Sequence, residues 1–444
     1  MRVIIVGAGE VGQSIAQNLA ETHDVVVIER DERLVDDLTY EIDALVIHGD
    51  GTDLSTLREA GIEDAELLIA STDNDEANIV ACGVAKTTGD VFTIARVKRH
   101  NLLNTWQGTE SAFGVDFMAS SNLLTAEAIF RLSGFPGAHD VNSFISGLVK
   151  MAEFEVGEDS PVADQTVEEA DRYDSLTFAA LFRDDELILP RGDTVIKPGD
   201  RVVVIGSADS VADFAMDTVR SGDGDIEEVV IVGGSEIGFQ TARLFEEHGY
   251  GPHLIEQDHD RAREIAEVLP NTSVWEHDAT DIDFLEREHV DEADMIVAAL
   301  EHDDRNLLVS MLAKKIGVDR TISVIENTEY AELFETVGID VAISPREEIA
   351  EEIVRFTRDE QMEKIAMLEH DRAEVLELQI SGDSPLAGQR IVDATDILPD
   401  CVVIGAISRQ GELVTPRGDT VIEAGDHVVL FTETEMIDDI TSAI

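Results

Sequence analysis

The sequence predicts an α/β protein made twice over, in which a doubly wound parallel sheet is followed by a small α+β lobe and the pair then recurs. Three observations carry that expectation. A β-branched run turns through a glycine-rich loop into a helical pattern, strands and helices then alternate as far as Ala119, and both features return in the second half at one constant offset.

The glycine-rich stretch is V-I-I-V-G-A-G-E-V-G at positions 3–12. Val3 to Val6 form a short continuous apolar run, suited to a central strand covered on both faces. Gly7 permits a tight turn, Gly9 puts no side chain before a pyrophosphate, and Gly12 lets the next helix pack closely on the strand. Phosphates would meet unpaired N–H groups at the helix N-terminus. Taken alone, such glycines mark any strand-to-helix turn. A second apolar run, Val25 to Ile28, makes the pattern specific, because it ends in Glu29, as far beyond Gly12 as the acid of a second strand belongs. A carboxylate there accepts ribose hydroxyls and repels a 2′-phosphate, which favours NAD(H) over NADP(H), with Arg30 beside it softening the discrimination. The unit reads as a Rossmann-like nucleotide-binding lobe.

The remaining elements follow in order. Leu45 to Ile47 is a third strand leading into H-G-D-G-T-D, and Leu54 to Ala60 is a helix closed by Gly61. Leu67 to Ala70 is a fourth strand that opens into S-T-D-N-D, followed by a helix from about Glu76 to Lys86. Phe92 to Val97 and Phe117 to Ala119 complete the sheet. Ligands meet parallel sheets at the carboxyl ends of their strands, so Asp50, Thr72, Asp73 and Arg96 are cofactor candidates, with plain loop capping as the alternative. A helix from Leu123 to Leu132 breaks at G-F-P-G. Beyond about Val141, alternating strands at Ala152 to Val156, Leu176 to Leu181, Leu187 to Leu189 and Arg201 to Ile205 suggest a small α+β lobe ending near Gly222.

The chain then starts again with V-V-I-V-G-G-S-E-I-G, in which Gly233 takes the place of Gly7. Leu254-Ile255-Glu256 repeats the strand ending in Glu29, and Met295 to Leu300 repeats the fourth strand. P-R-G-D-T-V-I at 190–196 returns unchanged at 416–422, and the step from Pro190 to Pro416 equals the step from Gly7 to Gly233. Chance does not supply seven identical residues at the offset of the glycine loop. The expected lobes are 1–119, 141–222, 226–344 and 365–444.

Composition narrows the function. The formal charge is −62, from 94 acidic against 32 basic residues of which only seven are lysine, and the acids are scattered among apolar strands. That composition suggests a halophile and makes nucleic acid an improbable ligand. Cys82 and Cys401 are the only cysteines, so no disulfide framework or cysteine metal cluster is expected. The first strand begins at Val3 without a leader, and no apolar run approaches the roughly 18 residues of a membrane span. A cytosolic protein that reaches a membrane only through a partner is the expectation.

The doubled arrangement, with G-A-G-E-V-G, G-D-G-T-D, S-T-D-N-D-E-A-N and the P-R-G-D-T-V-I-x-x-G-D turn, resembles the TrkA family of Trk system potassium uptake proteins. Those proteins carry two regulator-of-potassium-conductance (RCK) units, each a Rossmann-like lobe with a small ligand-binding or assembly lobe, the RCK C-terminal lobe. The resemblance implies phosphate contacts at Gly7, Ala8, Gly9, Glu10, Val11 and Gly12 and a ribose contact at Glu29, with Thr72, Asp73 and Arg96 completing the crevice. In the second copy it implies Gly233, Gly234, Ser235, Glu236, Ile237 and Glu256. There Ser235 replaces the middle glycine, adding a side chain where the backbone must approach pyrophosphate, and Val324 stands where Arg96 was, removing a cationic partner, so the second crevice is expected to be the weaker site, differently selective or only structural. NAD(H) is the implied cofactor, and ATP and ADP share the features these motifs read. The implied partner is a Trk-type membrane potassium channel subunit, gated by four such chains from the inner face of the cell membrane. The rival reading is an NAD-dependent oxidoreductase with a duplicated cofactor lobe, but no acid or base pair stands out. His48, His277, His302 and His370 read as surface or turn residues. A scaffold that has lost its ligand suits the second half better than the first.

Overall fold

The computed structural model describes the chain apart from residues 21–22, 43, 110–111, 136, 158–159, 184–185, 219–227, 358–361, 369–372, 395–396, 400–401, 434–435, 437–439 and 441–444. Pro136, His370, Cys401 and the lobe limits anticipated at 222, 226 and 444 lie outside the described residues.

Strands β1 (Arg2–Val6), β2 (Asp24–Glu29), β3 (Leu45–His48), β4 (Leu67–Ala70), β5 (Phe92–Val97) and β6 (Phe117–Ser120) form one parallel sheet in the order β3-β2-β1-β4-β5-β6. Each is followed by a helix: α1 (Glu10–Ala20), α2 (Glu32–Glu41), α3 (Leu54–Glu59), α4 (Asp75–Lys86), α5 (His100–Gln107) and α6 (Ser121–Ser133). The V-I-I-V and L-L-I-A runs occupy β1 and β4 because both faces of those strands are buried beneath helices. The strand order reverses between β1 and β4, which opens a crevice at their carboxyl ends.

The first small sheet holds β7 (Ala138–Phe144), β8 (Val149–Glu155), β9 (Leu176–Arg183), β10 (Glu186–Ile188) and β11 (Arg201–Ser207) in the order β10-β9-β11-β8-β7, all antiparallel, with α7 (Val167–Ala170) and α8 (Ala208–Thr218). β7 begins ahead of Val141 and is not signalled by its mixed A-H-D-V-N-S-F sequence.

The second half repeats both sheets. β12 (Val229–Val232), β13 (His253–Glu256), β14 (Ser273–Glu276), β15 (Met295–Ala298), β16 (Arg320–Val324) and β17 (Val341–Ile343) run parallel in the order β14-β13-β12-β15-β16-β17. Their helices are α9 (Glu236–Glu247), α10 (His259–Val268), α11 (Ile282–Arg287), α12 (Asp303–Ile316), α13 (Ala331–Thr336) and α14 (Pro345–Thr357). The last sheet, β18-β19-β22-β20-β21, contains β18 (Met362–Leu368), β19 (Ala373–Gln379), β20 (Val403–Arg409), β21 (Glu412–Val414) and β22 (His427–Glu433), with α15 (Ile391–Ala394).

Like packs with like. Met1–Phe130 joins Glu227–Thr357 in one compact unit, and Arg131–Ile226 joins Arg358–Ile444 in the other. In the second unit the two small sheets share a core, where Val149, Met151, Ala180, Val203 and Ile205 meet Val375, Ala406, Val429 and Phe431. The expected alternation is therefore corrected: β8, β9 and β11 are buried along nearly their whole length. One face meets the other small sheet and the opposite face meets α8, whose Phe214 ring stands edge-on to Phe154 at 5.3 Å and to Phe178 at 5.5 Å. The repeated Gly-Asp of the P-R-G-D turn is also a packing feature. Asp200 and Asp426 are buried, and each takes a two-pronged ion pair, from Arg183 at 2.7 and 2.6 Å and from Arg409 at 2.9 and 2.8 Å.

Among the described residues no helix is long and apolar enough to cross a membrane.

Candidate functional site

The crevice of the first parallel sheet is a cavity of about 390 Å³, within the range typical of small-molecule sites. Gly7, Gly9, Glu10, Val11, Glu29, Thr72, Asp73 and Arg96 line it, so eight of the first copy's candidates converge. Ala8, Gly12 and Asp50 do not. The Ala8 N–H is spent on Glu29, Gly12 packs under the loop, and Asp50 accepts from the Thr52 N–H and hydroxyl at 2.9 and 2.7 Å, which is turn capping. Those bonds hold the Asp50 carboxyl below its usual range.

The loop geometry explains its glycines. Gly7 has φ +104°, and a Cβ at Gly12 would fall 1.9 Å from the Gly7 carbonyl oxygen. A Cβ at Gly9 would meet nothing within 4 Å. The space before Gly9 is therefore open cavity, while Gly7 and Gly12 are fixed by the protein's own packing. The N–H groups of Glu10, Val11 and Gly12, the first of α1, have no hydrogen-bond partner among the described residues.

Glu29 does more than was expected of a ribose acid. Its Oε2 accepts the Ala8 N–H at 2.7 Å, and its Oε1 accepts the N–H groups of Arg30 and Asp31 at 2.7 and 2.8 Å. Of about four lone-pair positions on a carboxylate, three are occupied. The side chain ties the glycine loop to the end of β2, and these three bonds leave roughly one acceptor position unused.

Arg96 is short of close partners among the described residues. It is 4% exposed, its Nη1 reaches the Ser71 carbonyl at 3.4 Å and Asp73 at 3.6 Å, and its Nε has no hydrogen-bond partner among the described residues. Burial lowers its pKa, partly offset by Asp73, yet a guanidinium stays charged. Burial pushes Asp73 up, but Lys98 and Arg96 outweigh it and hold the carboxyl low. A buried cation with long contacts, lining the same cavity as free N–H groups, gives the crevice an electrostatic character that favours an anion.

Three further residues shape the crevices. Asn78, fully buried, accepts from the Thr72 N–H and hydroxyl and donates to the Thr72 and Arg96 carbonyls, joining the ends of β4 and β5. Asn306 makes the matching bonds to Leu300 and Val324, so an asparagine shared by both copies was the available signal. Arg346 lines the first cavity although it belongs to α14 of the second half. It pairs with Glu10 through Nη1 and with Glu326 at 3.4 Å through Nη2. Nothing local to the first copy announces it.

The second crevice, about 510 Å³, is lined by Gly233, Gly234, Ser235, Glu236 and Glu256, while Ile237 is buried beneath it. Two expectations are corrected here. The Ser235 hydroxyl does not stand before the loop: it donates to the Ala299 carbonyl at 2.6 Å and accepts the Gly238 N–H at 3.2 Å as a helix cap. The cap occupies one N–H at the start of α9. Nor is the crevice without cations, since Arg261 and Arg305 line it in place of the missing counterpart of Arg96.

Comparison with known proteins agrees with this arrangement. The TrkA-N domain family matches residues 3–108 and 229–345, and the TrkA-C domain family matches 151–217 and 375–444. The chain is 34% identical over 440 residues to the Trk system potassium uptake protein TrkA homolog of Archaeoglobus fulgidus, covering 99% of each. It is 33% identical over 440 residues to TrkA homolog 1 of Methanosarcina mazei, covering 97% of each. The TrkA of Halomonas elongata is 34% identical over 441 residues, 97% of this chain and 95% of that one. Among solved structures the GsuK channel superposes with a TM-score of 0.61 at 17% identity, over 100% of this chain and 78% of that one. The GsuK channel bound to NAD gives 0.59 at 18%, over 100% and 79%. The fold they share is the duplicated lobe pair, and the chain belongs to the TrkA family of Trk system potassium uptake proteins.

Proposed function

We propose that this chain is a nucleotide-sensing regulatory subunit of potassium uptake, acting on a membrane partner and catalysing no reaction on its ligand. The observation that carries the sensing role is Arg96, a buried cation whose Nε has no partner among the described residues, lining one cavity with the start of α1, where the N–H groups of Glu10 and Val11 are free. An adenine nucleotide supplies what that site lacks: phosphate for the loop and Arg96, and ribose for the remaining acceptor position of Glu29. NAD(H) suits the acid at the end of β2, and ATP or ADP offers the same adenosine and phosphate groups.

Regulation then follows from differential affinity. A ligand moves a two-state equilibrium only as far as it prefers one state, and going from 1:99 to 99:1 takes about 5.5 kcal/mol. Several sites in an assembly of four chains, beneath a Trk-type potassium channel subunit at the cytoplasmic face, would share that requirement. Family membership and the doubled lobes support this reading. The test is calorimetric titration of the intact protein with NADH, NAD, ATP and ADP in molar potassium chloride. Saturable binding that weakens at least tenfold in Arg96→Ala is expected, and NADH absorbance at 340 nm should stay constant throughout. Binding indifferent to Arg96 would overturn the assignment.

A further inference from the structure

One contact between the two small sheets joins a strained turn on one side to a buried charge on the other. Ile145, in the turn from β7 to β8, has φ +51°, in the left-handed region that a β-branched residue rarely adopts. Two contacts offset that cost. The Ile145 side chain packs on the core shared by both sheets, and its N–H donates to Glu377 Oε2 at 2.7 Å. Glu377 lies in β19 of the other small lobe and is 4% exposed. A carboxylate taken almost wholly out of water thus holds a strained turn of the opposite lobe.

The repeat places a different cation beside that carboxylate in each copy. Glu153 is the counterpart of Glu377, since Glu153 lies opposite Val203 and Glu377 opposite Val429 in matching pairs of strands. Arg201 and His427, each directly after the buried aspartate of the P-R-G-D turn, are the partners. Arg201 Nη1 stands 3.2 Å from Glu153 Oε1, and His427 Nδ1 stands 3.7 Å from Glu377 Oε1. A guanidinium is charged at every working pH, whereas an imidazole gains and loses its proton near neutrality. At 3.7 Å the histidine contact is too long for a hydrogen bond, so what it contributes depends on the charge of the ring. Among the described residues, Gln379 of β19 meets His427 Nε2 at 3.4 Å, and its amide serves either state of the ring. Asp426 is committed to Arg409 of β20, which also takes Glu423. In register, Ser408 of β20 lies opposite His427 and Lys364 of β18 lies opposite Glu377. The turn itself, Ile-Ser-Gly-Leu at 145–148, carries no charged side chain.

We propose that Glu377 is a pH-graded clasp between the two small lobes: with His427 charged it holds the β7–β8 turn in its left-handed form, and with His427 neutral the hold weakens and the turn relaxes. The imidazolium contributes on the acid side of the histidine range, and its contribution is lost as pH rises through that range. The Glu153–Arg201 pair stays constant over the same interval. With 29% of its side chain exposed, His427 exchanges its proton with solvent while Glu377 stays buried. The duplicated lobe therefore carries one fixed joint and one adjustable joint. This device is independent of whether either crevice holds a nucleotide.

Hydrogen exchange of the intact protein, read on the peptide that contains Ile145 at about pH 6 and about pH 8.5, tests this. His427→Arg copies the first lobe and serves as the reference at each pH, so the intrinsic pH dependence of exchange cancels. Wild type should match His427→Arg at the lower pH and exchange about two- to fivefold faster at the higher, the size expected of a partly exposed ion pair. His427→Gln should exchange faster than wild type at the lower pH and equal it at the higher. Ile145→Gly, for which the left-handed conformation costs little, should shrink the difference between the two pH values. A ratio of wild type to His427→Arg that is the same at both pH values, or a His427→Gln protein as protected as wild type at the lower pH, would overturn the proposal. If His427→Arg melts below wild type at the lower pH, the comparison with His427→Gln decides by itself.

Discussion

Asn78 and Thr72 close a small ring across the carboxyl end of the first parallel sheet. The Thr72 N–H and hydroxyl both donate to the Asn78 side-chain oxygen, at 2.9 and 2.6 Å, and the Asn78 amide donates back to the Thr72 carbonyl at 2.9 Å. The second amide hydrogen goes to the carbonyl of Arg96 at 2.9 Å. One buried side chain therefore sets both residues that form the far wall of the cavity. Asn78→Ala would leave the Thr72 N–H and the Arg96 carbonyl unpaired out of water, at about 1–3 kcal/mol for each buried group. Urea unfolding should show a loss of about 3 kcal/mol, and nucleotide affinity should fall with it. Asn306→Ala should destabilise comparably without weakening the first site.

The glycine loop separates ligand space from packing space. Gly9→Val places its side chain where the protein has no atoms, so the melting temperature should hold while nucleotide binding disappears. Gly12→Ala drives a methyl group to 1.9 Å from the Gly7 carbonyl oxygen, and the backbone must move to relieve it. That variant should lose stability first, by about 1–3 kcal/mol as for other overpacked sites. Paired melts and titrations of the two proteins check the division. A Gly9→Val protein that still binds at full stoichiometry would place the ligand elsewhere.

Much of this site is legible from the chain because its signals are local. A β-branched run, three glycines and an acid at the end of the next strand fix β1, the loop and Glu29 in one short stretch from Val3 to Glu29. Arg96 is legible because strand ends in a parallel sheet face the crevice. What escapes has the opposite character. Arg346 reaches Glu10 from the other half of the chain, and no periodicity encodes which copies of a repeat pack together. The continuous burial of β8, β9 and β11 comes from a second sheet laid against them, so their expected polar face does not exist. Ser235 was legible as a residue and illegible as a rotamer, because the choice between cradle and cap depends on the carbonyl of Ala299.

Glu29 serves the loop and a ligand together, and a single substitution should show both roles. Glu29→Gln keeps the volume but replaces one acceptor oxygen by a donor, so at least one of the N–H groups of Ala8, Arg30 and Asp31 loses its partner. A stability loss of about 1–3 kcal/mol is expected from that N–H. Removing the charge also ends the repulsion of a 2′-phosphate, so preference for NADH over NADPH should fall about tenfold, equivalent to about 1.4 kcal/mol. Competition titrations with the two dinucleotides measure the second effect. Stability loss with an unchanged ratio would make Glu29 a structural residue only.

The two small lobes are joined by a contact that leaves no room for a side chain. Gly405 in β20 lies against Ile205 in β11, and a Cβ at that glycine would come within 2.6 Å of Ile205 Cδ1 and 2.9 Å of its Cβ. Ile205 is itself fully buried in the core shared by both sheets, so it has nowhere to retreat. Gly405→Val should push the sheets apart and cost about 1–3 kcal/mol, the usual range for extra methyl groups forced into a packed core. Gly382 supplies the control, since a Cβ there meets nothing within 4 Å and the residue is exposed. Gly382→Ala should leave the urea midpoint within experimental scatter. If Gly405→Val unfolds in one transition shifted downward, the shared core is part of the cooperative unit. If it unfolds in two, with the small lobes melting first, the contact is what couples one half of the repeat to the other.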